Sequence, residues 1–274
     1  RSWSRPHTAA TLGAMLDLPS PAALPAATRR YPAPVSAQRA LSIVEKLALG
    51  PDAHVLDVAC GRGGLLLDAV ALHGCRGLGL SRDDAALADA RENAVRERLA
   101  ERVEFRRAAP ETFVAERRYD AILCVGTPDA FSALEDTAAR CLEWLRVGGL
   151  LVVGAPFLRR TPALGYRGVL GAAAERLQTT GVYARNVVGS GFELLVTAVC
   201  SESEWDAYES ASYRAQLRYV AEHPDDPGAG EIRARAEAWY QSYWRYGRDT
   251  LGYAFHLFRR PRAALRAVPE FKGV

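Results

Sequence analysis

The stretch Val55-Leu56-Asp57-Val58-Ala59-Cys60-Gly61-Arg62-Gly63-Gly64 decides the fold. A short apolar strand, read as His54 to Val58, runs straight into glycines and then into a helix from Leu65 to His73. A buried β-strand that ends in a Gly-rich turn and continues as a helix builds a nucleotide-sized crevice at its carboxyl edge. The glycines let main chain approach a ligand where a Cβ would collide.

The spacing is not the dinucleotide fingerprint, because Gly63 is followed by Gly64, Leu65 and Leu66 and no glycine stands three residues on. The run instead resembles the first motif of the class I S-adenosylmethionine (SAM) methyltransferases, an acid-x-Gly-x-Gly-x-Gly pattern. Asp57, Ala59, Gly61 and Gly63 fill it, with Ala59 the one departure. The resemblance implies that this turn hugs the methionine half of SAM and that Asp57 lies near its amino group or orders the loop. A plain strand-to-helix turn of some other α/β protein is the alternative reading of the same residues.

With 274 residues, 49% of them hydrophobic, the chain can bury a full core. A net charge of +3 and scattered arginines, with lysine only at positions 46 and 272, give no basic stripe for nucleic acid. Cys60, Cys75, Cys124, Cys141 and Cys200 lie far apart, without a C-x-x-C or a histidine at ligand spacing, so neither a disulfide framework nor a metal site is expected. No apolar run reaches signal-peptide or membrane-spanning length, and a reduced, cytoplasmic setting without membrane contact is the expectation.

Working outward, Ser36 caps a helix with Leu41, Val44 and Leu47 at helical spacing, stopped by Gly50-Pro51. Strands are predicted at 77–80, 103–105, 119–125 and 150–154, each reached through a helical segment. Ser81-Arg82-Asp83-Asp84 reads as a capping box that opens a helix to about Leu99, and a helix carrying Leu134, Ala138, Cys141, Leu142 and Leu145 is expected to end at Gly148-Gly149. Alternation of this kind predicts a doubly wound, parallel, Rossmann-like α/β sheet.

The resemblance extends this to the seven-stranded methyltransferase sheet. Residues 192–200 and 251–259 stand for strands six and seven, paired antiparallel, and Arg146-Val147-Gly148-Gly149 for the turn before strand five. Between strands six and seven a helical insertion is expected over 201–247, opened by a Ser201-x-x-Glu204 capping box, broken at Pro224-Asp225-Asp226-Pro227-Gly228, and dense in Trp and Tyr. The expected divisions are an extension at 1–35, a SAM-binding core at 36–200, the insertion, and a last strand with tail at 248–274. Cys60-Gly61-Arg62-Gly63, Trp205-Asp206-x-Tyr208-Glu209, Pro224-Asp225-Asp226-Pro227 and Tyr243-Trp244-Arg245-Tyr246-Gly247-Arg248-Asp249-Thr250-Leu251-Gly252 are similar to segments of a poorly characterised bacterial group of small-molecule-type methyltransferases. That likeness implies fold and cofactor and assigns no substrate.

Two polar anchors of the wider family are absent. Gly79 stands where the acid that receives the ribose hydroxyls belongs, and Ala109, followed by Pro110, where an Asp receives the adenine amino group. Gly79, Leu80, Ala109, Pro110 and Val125 therefore join Asp57, Ala59, Gly61 and Gly63 as the expected cofactor contacts, and restoring the acid as Gly79→Asp is expected to tighten binding. Asp83, Asp84 or Glu111 could supply the missing acceptor. On the acceptor side Asp129 is the candidate base, with an ordinary cap or turn role as its alternative. Thr127, Phe157, Tyr243, Trp244 and Tyr246 are the expected substrate contacts, the last three on an insertion that covers the acceptor site or else serves packing or a homodimer contact. The expected function is SAM-dependent O- or N-methylation of a small organic molecule. The alternative is a methyltransferase-fold protein with a non-methylating or ligand-binding role.

Overall fold

The computed structural model describes residues 30–31, 33–126 and 134–262. Their strands are β1 (His54–Asp57), β2 (Arg76–Ser81), β3 (Val103–Arg107), β4 (Tyr119–Val125), β5 (Leu145–Leu158), β6 (Glu193–Val199) and β7 (Leu251–Arg259). They form one sheet in the order β3-β2-β1-β4-β5-β7-β6, in which only β7 runs antiparallel to its neighbours. This is the seven-stranded, Rossmann-like methyltransferase fold. The order reverses between β1 and β4, so their carboxyl ends splay into a crevice.

Alternation sorts the sheet residues onto two cores, as expected of a sheet covered on both faces. Val55, Leu123, Val152, Tyr253 and Phe255 belong to one core, under helices α1 (Ala37–Glu45), α2 (Gly64–His73) and α3 (Asp84–Arg96). Leu56, Ile122, Leu151 and Phe258 belong to the other, with Ala138 and Cys141 of α4 (Leu134–Trp144). Helices α5 (Leu164–Leu170), α6 (Ala173–Arg176) and α7 (Thr180–Gly189) connect β5 to β6, and α7 adds Tyr183 and Val187 to the second core.

Several boundaries differ from the sequence reading, for tertiary reasons. α4 ends at Trp144 and not at Gly148, because Leu145 already pairs with Tyr119 while the Arg260 guanidinium donates to the carbonyls of Leu142 and Leu145 at 2.7 Å each. α3 is capped by Asp83, whose carboxylate accepts from Ala85 and Ala86; Ser81 is the last residue of β2, and the helix stops at Arg96, short of Leu99. In α1 the buried face is Ala40, Ile43 and Val44, and Leu41 is exposed. The Ser36 cap stands as expected, its hydroxyl accepting from Arg39.

Between β6 and β7 lies an antiparallel helical hairpin, α8 (Glu202–Glu222) and α9 (Ala229–Ser242), followed by a π-helical turn at Tyr243–Gly247 and the single turn α10 (Arg248–Thr250). Ser201 and Glu204 form the expected capping box. Glu204 also accepts from the amide and hydroxyl of Ser36 and from Arg39 Nε, so one carboxylate ties the first turns of α1 and α8 together. Within the hairpin Glu209 accepts from the indoles of Trp205 and Trp239, and Tyr213 stacks on Tyr240 at 4.4 Å.

Candidate active site

β1 ends on Asp57, and pairing continues past it: Val58 N donates to Leu123 on one side and Cys60 N to Leu80 on the other. The chain then turns through Gly61 at φ +50° and Gly63 at φ +80°. Gly63 caps α2, and a Cβ there would lie 2.9 Å from the Phe105 ring. At Gly61 nothing lies within 4 Å of a Cβ position, so this glycine faces open space. The outer side of the turn is fixed by Asn93 donating to the Arg62 carbonyl and by the Arg62–Asp89 ion pair.

Beside this turn lies a cleft of about 380 Å³, partly in contact with solvent, lined by Asp57, Ala59, Cys60, Gly64, Leu65, Val125, Phe255 and by Tyr31, Ala33 and Val35. Asp57 is 4% exposed and accepts from Ala59 N at 3.1 Å. Burial pushes its carboxyl up to about 7, against the smaller opposing pull of the Ala59 amide. A buried carboxyl held this weakly suits a cationic ligand group, which restores the solvation that folding removed.

Tyr31, Ala33 and Val35, which the sequence reading left in an extension, form one wall. Arg30 pairs with Asp68 and Glu97, Tyr31 donates to Asp68 at 2.5 Å, and the Arg30 carbonyl lies so close to Gly64 that a Cβ would stand 2.1 Å from it. No periodicity or motif marks these residues. Their place depends on a carboxylate on α2, and Phe255 reaches the cleft only because β7 returns beside β5.

The structure brings Asp57, Ala59 and Val125 of the expected contacts to the cleft, with Gly61 and Gly63 shaping its turn. Gly79 sits between β1 and β3, opposite Asp57 and Phe105, where a Cβ would stand 2.8 Å from Phe105 and 2.9 Å from Cys60 Sγ. An acid at 79 would therefore need Phe105 and Cys60 to move, because those two side chains fill the space. Leu80 is buried in the second core and contributes its carbonyl to the turn. Ala109 and Pro110 begin a 3-10 turn beyond β3. The three substitute acceptors are engaged, Asp83 in the α3 cap, Asp84 with Arg107, and Glu111 with Arg82.

Thr127 and Asp129 lie outside the described residues. Phe157 is packed in the second core with its ring over Gly252, on the face away from Asp57. Tyr243 donates to Asp206 at 2.5 Å and Tyr246 stacks on Tyr166, while Trp244 is half exposed between Tyr240 and Tyr243; none of the three lines the cleft. These residues thus fasten the π-turn to α8 through Tyr243 and to α5 through Tyr246. Among the described residues no cluster of three or more His, Cys, Asp or Glu could hold a metal, and no helix is long and apolar enough to cross a membrane.

Residues 55–149 match the methyltransferase domain family, a segment that includes the carboxyl ends of β1 and β4 and the glycine turn. The chain thus has the methyltransferase fold, with a match to the methyltransferase domain over that segment. Over 252 residues it is 25% identical to the uncharacterised protein YjhP of Escherichia coli K12, covering 87% of this chain and 97% of that one. It is also similar in structure to a SAM-dependent methyltransferase of Geobacter sulfurreducens solved with S-adenosylhomocysteine (TM-score 0.80, 24% identity, 86% of this chain and 95% of the other). A SAM-dependent methyltransferase of Thiobacillus denitrificans, also solved with S-adenosylhomocysteine, matches equally well (TM-score 0.80, 22% identity, 86% and 96%).

Proposed function

We propose that this protein binds SAM in the β1 cleft and methylates a small organic acceptor. The observation that carries the reading is the buried Asp57 carboxyl beside a glycine turn that leaves its outer space empty, within a segment matched by the methyltransferase domain family. Asp57 takes the cofactor's amino group, Gly61 lets main chain approach its methionine half, and Val125 and Phe255 supply apolar walls that keep water from the reacting end. The bound sulfonium supplies an activated methyl group, so the protein's own task is to hold an acceptor in line with it and dry. A small acceptor is favoured over nucleic acid by the modest charge and the absence of a basic stripe.

Calorimetric titration with SAM and S-adenosylhomocysteine tests this reading. Both are expected to bind, and Gly61→Val to abolish binding in a protein that stays folded, since a branched side chain would enter the open space. Undiminished affinity in that variant would falsify the placement. Gly79, crowded and without a carboxylate, favours the second reading, a fold kept for another ligand. Failure of both compounds to bind the wild-type protein selects it.

A further inference from the structure

Tyr253 on β7 is fully buried; its hydroxyl lies against the backbone amide of Gly126, which can only donate to it, and its own proton finds no acceptor among the described residues. Phenylalanine would fill the same space without stranding a polar group, so the hydroxyl calls for an explanation. Its surroundings supply one. Tyr253 and Phe255 are two apart on one face of β7, and Phe255 walls the cleft together with Val125. A Cβ placed on Gly154 would stand 2.9 Å from Val125 Cγ1, 3.0 Å from Phe255 Cε1 and 3.0 Å from Tyr253 Oη. The missing side chain at Gly154 therefore leaves the hydroxyl directly behind two residues that wall the cleft, without lining the cleft itself. Gly154 lies beside Val125, and its carbonyl accepts from Gly126 N, which places this point at the carboxyl end of β4, on the far side of the cleft from the α2 turn.

We propose that Tyr253 determines acceptor specificity, its hydroxyl donating a hydrogen bond to an unprotonated oxygen or nitrogen of a small planar acceptor. The proposal rests on the methyltransferase reading above. Burial holds the phenol far above its ordinary range, so it meets the ligand as a neutral donor and does not serve as a base. The apolar flanks, Val125 and Phe255, suit a flat ring, and the unmet donor supplies the one polar demand.

The test compares quinoline, which carries a ring nitrogen lone pair, with naphthalene, which has the same shape and none. Both are titrated by saturation-transfer NMR into protein saturated with S-adenosylhomocysteine, as wild type and as Tyr253→Phe. The expected result is quinoline affinity about 3- to 10-fold weaker in the variant, with naphthalene affinity, S-adenosylhomocysteine affinity and melting temperature kept. Equal quinoline affinity in the two proteins, or no quinoline binding to the loaded wild type, overturns the proposal and leaves the methyltransferase reading standing. If S-adenosylhomocysteine itself fails to bind the wild type, that reading falls first and this inference falls with it.

Discussion

Asp57 carries a carboxyl group almost wholly withdrawn from water, and its behaviour with pH follows. In the free protein its carboxyl titrates near 7, pushed up by burial and only partly restrained by the Ala59 amide. A cationic ligand group needs the ionised form, so affinity for S-adenosylhomocysteine is expected to fall about tenfold per unit as pH drops below about 7. Asp57→Asn is expected to bind weakly with no such slope, which calorimetry between pH 5.5 and about 7.5 reads directly. The stability effect has the opposite sign. Because the folded carboxyl stays protonated above the unfolded value of 3.8, the ligand-free protein loses stability as pH rises from there to about 7, and the Asn variant lacks that loss. Gly79 carries a second expectation. With Phe105 and Cys60 against it, Gly79→Asp should melt at lower temperature and bind S-adenosylhomocysteine no more tightly; tighter binding would mean that Phe105 yields to a carboxylate.

Glu204 links two helices that the sequence places 165 positions apart. Burial acts to raise its carboxyl, but the bonds from Arg39, Ser36 and Ser201 outweigh it and hold the group at about 2. A depressed carboxyl contributes stability that is complete above its ordinary value of 4.5 and is lost as pH falls through about 2. Glu204→Gln is expected to cost about 2 kcal/mol at neutral pH, from a weakened helix cap and lost charge-assisted bonds. In urea denaturation the gap from wild type should narrow as the pH is lowered from 4.5. A gap that stays constant with pH would mean that the carboxylate's charge is not what ties α1 to α8. The Ser201-x-x-Glu204 pattern shows the cap, but nothing in it shows that the same carboxylate also receives Ser36 and Arg39.

In the folded molecule the cleft is closed by parts of the chain that meet only after the sheet has formed. Tyr31, Ala33 and Val35 wall it because Arg30 and Tyr31 are fastened to Asp68 on α2. Asp68→Asn is expected to release S-adenosylhomocysteine about 5- to 10-fold faster in stopped-flow displacement, by weakening charge-assisted bonds, while Gly61 and Asp57 keep the association step. Unchanged release would show that this wall is not a barrier to exit.

The sequence by itself determined the order of the strands, the helices between the first five of them, the parallel sheet, the glycine turn after β1 and the Ser201–Glu204 capping box, because each rests on neighbours within a few positions: period-two or period-3.6 hydrophobicity, or a side chain reaching its own helix terminus. Asp57, Gly61 and Gly63 were legible for that reason. Tertiary structure alone decided that Arg260 ends α4, that Phe105 and Cys60 occupy the space at Gly79, and that Tyr31 and Phe255 wall the cleft. It also decided that Phe157 faces the opposite core and that Tyr243 and Tyr246 bind the π-turn to α8 and α5, away from the cleft. These outcomes depend on close packing between segments distant in the chain, where a few ångströms decide which side chain fills a space, and local sequence patterns carry no record of such distances.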